Sequence, residues 1–594
     1  MKVRSISVPS LPVVQSPGEQ PFDIELEGGD VEDEGPINPK RNLTKRELLH
    51  QRLVFGSIVF SLNAVCIILS AVGYSGVWVL CAILFFKSKD FLSVWIQIFC
   101  RIYYAIKRRI VTAPAKRASW ILSLIPAYSE SEEQIVKTLF SLRDNGMEQH
   151  RQVMCIILDG KPRPIKDHMT RVVASFEWKY VSLKWKIGTL KIVAGFVDNI
   201  PTLCIDKCPN AGKKDSLILC HDLFNYPRSN IDPSIVGLRE KLWSEILPQL
   251  TEEPNFNTFD LVFCTDADST IHQGALARLA DACLANPRSI AACGFVFVEY
   301  EPGLEWSVWN LYQQFQYSFG QIVRRGAEHF VGKVTCLPGC ITMIVVRPEM
   351  AGAIQKYAKP VTAFPVLRHQ VQYLGTDRRL TYSMLSQGKH LHTLFVPEAG
   401  SETVAPQSLQ HYLSQRRRWG SNAYFNNYFY FAGENMILIT RIAALIEITR
   451  LTMVYYRVFN TGLFLYGVAS DFSIVALAPL LAVSFLPSFW FAFAVCFLNA
   501  HLRKNWVKLL CGFCINRCVS PFMSVAVFSL VAKNLGSQVW GMSGVTAAAP
   551  GAPNPATTGG QRPVASPLKR QGTVAEERQR LADEGGQEKP DTEA

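Results

Sequence analysis

Charge is what this sequence withholds first. From Leu53 to Phe86 no residue is charged, and over the whole chain of 594 residues only 19% are Asp, Glu, Lys or Arg while 48% are hydrophobic. A run of that length without charge is excluded as the solvent-facing helix of a soluble domain. No internal repeat with a period of 20–50 residues is present, which excludes solenoids and propellers. The pattern GxxxxGK[ST] is absent, which excludes the phosphate loop of nucleotide hydrolases. Cysteine is not scarce, at 16 residues, but it is scattered. The Cys511/Cys514 pair with nearby Cys518, and the Cys204/Cys208 pair, lack the further ligands a zinc site needs, so they read as packing residues.

Two apolar regions are present, Leu53–Phe86 and the stretch between Leu451 and Val531, with a segment of soluble-domain composition between them. This is the profile of an integral membrane protein with a large aqueous domain. The net charge of +12 therefore calls for no nucleic acid partner. As one helix Leu53–Phe86 would reach about 50 Å, too long for a hydrocarbon core of ~30 Å. Gly73-Tyr74-Ser75-Gly76 offers a break, giving a hairpin, with one tilted span plus a surface helix as the rival. Lys45, Arg46 and Arg52 on one side and Lys107, Arg108 and Arg109 on the other favour cytosolic placement of both ends. Three later spans are expected near 451–470, 473–498 and 508–532, with His501, Arg503, Lys504 and Lys508 marking a cytosolic loop. Residues 1–50 and 543–594 read as disordered, and the polar stretch ahead of the first apolar run argues against a cleaved leader.

Inside the aqueous segment, strand patterns alternate with helical ones. Ser119–Ile125 is a buried strand, Ser131 with Gln134 is a capping box, and Ile135, Val136, Leu139 and Leu142 form a helix face. Further strands are expected at Val153–Leu158, Leu190–Val197 and Phe259–Cys264, with a helix after Lys214. Alternation of this kind predicts an α/β domain with a mainly parallel sheet, whose ligands bind outside the carboxyl ends of the strands.

Acidic motifs stand at those ends. Asp159 closes one strand, and "CTDADST" places Asp266 and Asp268 two residues apart at another. Carboxylates so close suit a hard divalent cation such as Mg2+ or Mn2+, although a turn or helix cap uses the same residues. "NAGKKDSLIL" sets Gly212, Lys213 and Lys214 ahead of a helix, where phosphates or merely solvent are held. "GTDRRL" offers Asp377 as a general base, or as a partner for Arg378 or Arg379. Aromatics from Trp306 to Phe319 suit an interfacial helix or a sugar-stacking surface, with membrane anchoring preferred. In "YLSQRRRWGSN", Gln415, Arg418 and Trp419 share one helix face, joining an amide, a cation and a flat ring.

The order of these motifs, with "CTDADS", "QFQYSFGQ", "TCLPGCITM" and "SQRRRWGSN", resembles the fungal chitin synthases, processive inverting glycosyltransferases of family 2. The resemblance is dense over 119–430 and looser over the following spans. It implies a GT-A-like fold with transmembrane helices before and after it. It implies that Pro126, Tyr128, Glu130 and Asp159 line a uridine pocket, that Lys213 approaches the diphosphate, and that Asp266 and Asp268 hold donor and metal. Asp377 would be the base, and Leu337, Pro338 and Gly339 would sit near the mouth of the product channel. Gln415, Arg418 and Trp419 would form the acceptor end, with Arg378 and Arg417 also touching substrate. Thr376 departs from the Glu that the family usually carries before the base.

The expected organisation is a disordered cytosolic tail (1–50), a transmembrane hairpin with an interfacial helix (51–110), a cytosolic glycosyltransferase domain (111–405), the QRRRW and interfacial helices (406–448), channel helices (449–535) and a second disordered tail (536–594). The implied partners are UDP-N-acetylglucosamine, a growing chitin chain and the bilayer, with homodimer formation left open. The implied site is the plasma membrane, with secretory vesicles as a second station. A hyaluronan- or cellulose-type synthase and a catalytically silent assembly subunit are the alternatives.

Overall fold

A computed structural model describes residues 3–4 and 44–536, apart from 74–75, 109–116, 129, 144, 146–148, 161–178, 186–187, 198, 209–211, 301, 360–375 and 471–473. Both expected tails lie outside the described residues, apart from Val3–Arg4, residues 44–50 and residue 536.

The centre is an eleven-stranded mixed sheet, in the order β1-β5-β6-β3-β2-β7-β10-β9-β11-β8, with β4 pairing β5. Its middle strands are β2 (Ser119–Ala127), β3 (His150–Asp159), β6 (Ile200–Cys208) and β7 (Leu261–Cys264), which run parallel to one another. Their sequences are nearly continuous apolar runs, as strands covered on both faces require. Register sets Leu124 against Cys264 and Ala127 against Leu158, so these strands finish at one edge of the sheet. The flanks are antiparallel: β1 (Val3–Arg4), β4 (Lys179–Trp185) and β5 (Gly188–Val197) on one side, β10 (Thr342–Val345) with β7 and β9 (Ser289–Val298) on the other. β11 (His392–Thr403) returns to parallel pairing with β9 and meets β8 (Thr270–Ile271) antiparallel.

The capping box at the head of helix Glu132–Arg143 is formed, with Ser131 N–H donating to Gln134 Oε1 (2.9 Å) and Gln134 N–H to Ser131 Oγ (3.3 Å). Of the predicted face, Ile135, Leu139 and Leu142 are buried under the sheet, while Val136 is half-buried.

Among the described residues, three helices are long and apolar enough to cross a membrane: Lys45–Val72, Leu481–Leu498 and Trp506–Lys533. The first ends at Gly73 and a second long helix, Gly76–Arg108, begins where the sequence offers its break. Helix Val454–Ser470 is shorter, at 17 residues. The aromatic segment, expected as an interfacial helix or a sugar-stacking surface, forms a helix packed on two of the apolar helices, with Trp306 exposed just ahead of it. Helix Val308–Phe319 is buried along Leu311, Tyr312 and Phe315, wedged against the membrane helices, with Phe315 in ring contact with Phe491 and Phe513. Glycine at position 512 permits this approach, because a Cβ there would stand 2.3 Å from the Leu311 carbonyl oxygen. Gly512 lies inside the Cys511/Cys514 spacing, so that motif marks a helix–helix contact.

Candidate active site

The site forms at the edge where β2, β3 and β7 end. Beyond β7, Thr265 N–H donates to the Leu124 carbonyl (3.1 Å) and its hydroxyl donates to the Cys340 carbonyl (3.0 Å), tying the DAD turn to the loop 335–340. Asp266 leaves the strand and is paired through Oδ1 with Lys213 Nζ. Lys213 heads the helix Lys213–Phe224, whose N-cap is Gly212 at φ +89°, a left-handed conformation that glycine adopts without strain. Burial works against the Lys213 charge, but Asp266 and Asp377 overcome it and hold the ammonium protonated well above the usual lysine range.

Asp377 opens the helix Asp377–Leu385. Its Oδ2 accepts from the Gly339 N–H (3.1 Å), and its backbone carbonyl accepts from Thr381 Oγ1 (2.8 Å), which in turn accepts from the Leu337 N–H (3.2 Å). Gly339 has no room for a side chain: a Cβ would lie 2.8 Å from Lys213 Nζ and 2.9 Å from Asp377 Oδ1. Thr342 Oγ1 donates to the Pro338 carbonyl (2.7 Å) and fixes the loop from the other side. Pro126, Lys213, Leu337, Gly339 and Asp377 thus share the wall of one pocket.

Glu130 accepts from the Tyr128 N–H (2.6 Å) and stands within electrostatic reach of Asp268. Burial, followed by the charges of Asp266 and Glu130, pushes the Asp268 carboxyl up to about 6 although the residue as a whole is open to solvent. Asp266, Asp268 and the neighbouring Glu130 form a hard-oxygen set that a divalent cation would neutralise, so these residues fit Mg2+ or Mn2+.

Asp159 sits differently. It is buried, its Oδ1 is 3.0 Å from Lys207 Nζ and its Oδ2 accepts from the Gly212 N–H (2.7 Å). Lys207 also reaches Asp215 (3.1 Å) and Ser216 (2.9 Å), so this buried lysine braces the turn that presents Lys213. Sequence reading missed Lys207; the signal was a cation ending the apolar strand of Ile200–Cys208.

The QRRRW residues lie on the helix Leu409–Ala432, capped by Ser408. Arg418 comes near Asp377 and Asp266, and burial lowers its pKa against the opposing pull of those two acids. Gln415 has a buried Oε1 without a hydrogen-bond donor among the described residues. Trp419 is 41% exposed, with its ring centroid 6.1 Å from that of Tyr317. Arg416, which the motif leaves free to vary, lies over Trp419 (4.6 Å), Tyr412 (5.0 Å) and Tyr317 (5.2 Å) and so fixes the tryptophan's neighbourhood. Arg417 is half-buried on the same helix. Arg378 is drawn toward Cys336, Tyr430 and Glu328, away from the acids that Lys213 and Arg418 approach. Thr376 holds the N-cap position of its helix without a side-chain cap.

Residues 197–432 match the family model described as chitin synthase. Over part of its length the chain is similar to the chitin synthases. It is 28% identical over 389 residues to chitin synthase 5 of Verticillium dahliae, covering 58% of this chain and 20% of that one. It is 25% identical over 443 residues to chitin synthase 8 of Gibberella zeae, covering 70% and 65% respectively. The chain therefore spans between a fifth and about two thirds of the length of these chitin synthases. Among solved structures, a mannosyltransferase from Pyrobaculum calidifontis in complex with GDP-Man and Mn2+ aligns at 12% identity and TM-score 0.36, over 75% of this chain and 98% of that one.

Proposed function

We propose that this protein is a processive, inverting chitin synthase, which polymerises N-acetylglucosamine from UDP-N-acetylglucosamine into β-1,4-linked chitin and extrudes the chain across the plasma membrane from a cytosolic catalytic domain. The observation that carries this reading is the convergence of Lys213, Asp266, Asp377 and Arg418 around Gly339, at the ends of the parallel strands and within the region matched to the family.

In this reading Asp377 accepts the proton of the acceptor's C4 hydroxyl as that oxygen attacks the anomeric carbon. The bond from that carbon to the diphosphate oxygen breaks, the electron pair leaves with UDP, and the α-linked donor yields a β linkage. Gly339 N–H orients the base through its hydrogen bond to Oδ2. Lys213 and Arg418 balance the charge that builds on the leaving diphosphate, and the Trp419 ring offers the acceptor sugar a stacking surface. Asp266 and Asp268 would hold Mg2+ or Mn2+, which when bound supplies further charge neutralisation at the diphosphate. Positioning and charge stabilisation then provide most of the acceleration.

The test is to assay purified protein with several UDP-sugars and to digest the product with chitinase. Polymer formed from UDP-N-acetylglucosamine alone and degraded by chitinase is the expected result. Polymer from another sugar, or none under conditions where the protein is folded, would overturn the reading. Sealed vesicles with the catalytic domain outward test export: chitinase added outside should leave the polymer intact until detergent is added.

A further inference from the structure

Three side chains from distant parts of the sequence meet on the membrane side of the sheet, outside the site described above. His272 follows β8, four residues beyond Asp268, and its N–H donates to the Gly400 carbonyl (2.9 Å). Glu402 lies near the end of β11, paired in register with Thr270. His501 belongs to the short helix Ala500–Lys504, between the two apolar helices that end at Leu498 and begin at Trp506. His272 Nε2 is 2.9 Å and His501 Nε2 3.8 Å from the same Glu402 Oε1, and the three donor atoms lie within 4.8 Å of one another.

We infer that His272, Glu402 and His501 form a binding site for a divalent transition-metal ion, zinc being the expected occupant, which clamps the loop between the last two apolar helices to the catalytic domain. Two imidazoles and one carboxylate make a ligand set suited to Zn2+, with a fourth position left for water. Tetrahedral bonds of ~2.0–2.2 Å place donors about 3.4 Å apart, a value that the observed 2.9 and 3.8 Å bracket.

The ligands are also held in advance. The buried ring of Phe297 stacks on His272 (5.2 Å, 14° between planes) and contacts His501 (4.3 Å), forming an apolar wall that limits rotation of both imidazoles. The donors favour the protonation states a metal takes: burial lowers the His501 pKa, and the His272 hydrogen bond lowers that of Glu402. Two lysines stand nearby, Lys504 toward His501 and Lys137 toward Glu402. Lys137 is itself engaged by Glu299 at 2.5 Å. Their charge disfavours an ion held by electrostatics alone, such as Mg2+, and leaves one bound through imidazole nitrogen.

The test uses the full chain in detergent, stripped with EDTA and then titrated with ZnCl2 in excess Mg2+, which keeps the Asp266/Asp268 pair occupied. Metal content after gel filtration and the melting temperature are read for wild type, His501→Ala and Glu402→Gln. Wild type should bind one zinc per chain and melt at a higher temperature with zinc than without it. Each variant should bind at least tenfold more weakly and lose the zinc-dependent rise. Co2+ in place of zinc should bind without thiolate charge-transfer absorption, which separates this site from Cys511 and Cys514. Failure of wild type to take up zinc, equal uptake by the folded variants, or a thiolate spectrum would overturn the inference and leave the three residues as a hydrogen-bonded cluster only. If neither variant folds, wild-type uptake and the cobalt spectrum decide the question.

Discussion

Lys213 and Asp266 are joined as an ion pair across the mouth of the site, so the lysine that heads one helix already neutralises one of the two DAD carboxylates. Replacing it leaves Asp266 and Asp268 to repel each other with no cation between them. Lys213→Met is expected to lower kcat/KM for the sugar nucleotide about a hundredfold, the loss typical of removing one charge-stabilising donor. It should also raise the Mg2+ or Mn2+ concentration needed for half-maximal rate. Radiolabelled sugar incorporation against metal concentration measures both, and an unchanged metal requirement would separate Lys213 from the diphosphate site.

Gly339 supplies a steric test that leaves every charge in place. Gly339→Ala must push Lys213 or Asp377 aside by several tenths of an ångström, because the added carbon would stand 2.8–2.9 Å from each. Turnover should fall at least tenfold while the melting temperature changes little, since the displaced atoms are ends of side chains. Retained turnover would mean that the two groups do not act together.

Asp377→Asn keeps the shape of the side chain and removes the carboxylate proposed as the base. Turnover is expected to drop more than about a hundredfold with donor binding intact, as for loss of a general base. Calorimetric titration with UDP-N-acetylglucosamine beside the rate assay distinguishes this from a binding role, which would weaken affinity and spare turnover.

His221 gives the fold a pH dependence of definite sign. It is fully buried in the helix Lys213–Phe224, and burial lowers its pKa from 6.5 to about 4. The unfolded chain therefore binds a proton between these two values that the folded chain does not. Stability is complete above pH 6.5 and is lost as pH falls toward 4, by up to about 3 kcal/mol from this group. Melting temperature should fall between pH 7 and pH 5, and His221→Leu should flatten that decline. A parallel decline in the variant would assign the effect to other groups.

Much of this arrangement was legible from local pattern. Continuous apolar runs fixed the positions of β2 and β3, and their last residues pointed to Asp159 and to the strand-end edge as the site. Other parts depend on contacts that local pattern does not encode. Lys207 went unread as a lone cation in an apolar strand, and it is buried because Asp159 on the neighbouring strand and Asp215 on the following helix pair with it. The aromatic run from Trp306 to Phe319 reads as an interfacial helix or a sugar-stacking surface, and its packing against helix Trp506–Lys533 is a tertiary contact that local pattern does not carry. The separation in sequence of His272, Glu402 and His501 likewise hides a cluster that tertiary folding assembles.

The helix that carries QRRRW meets the same neighbourhood at two points, near its middle and near its C-terminal end. Arg418, just ahead of the midpoint, comes near Asp377, while the Tyr430 hydroxyl donates to the Thr335 carbonyl at 2.7 Å, just ahead of the loop that contains Gly339. The two positions are separated by roughly 18 Å of rigid rod at 1.5 Å per residue. A rod fixed at two points cannot rock about either one alone. Loop 335–340 and the Arg418 region are therefore coupled through this helix, and a departing nucleotide loosens the loop only if the Tyr430 bond lets go together with those that Gly339 and Leu337 make to the helix Asp377–Leu385.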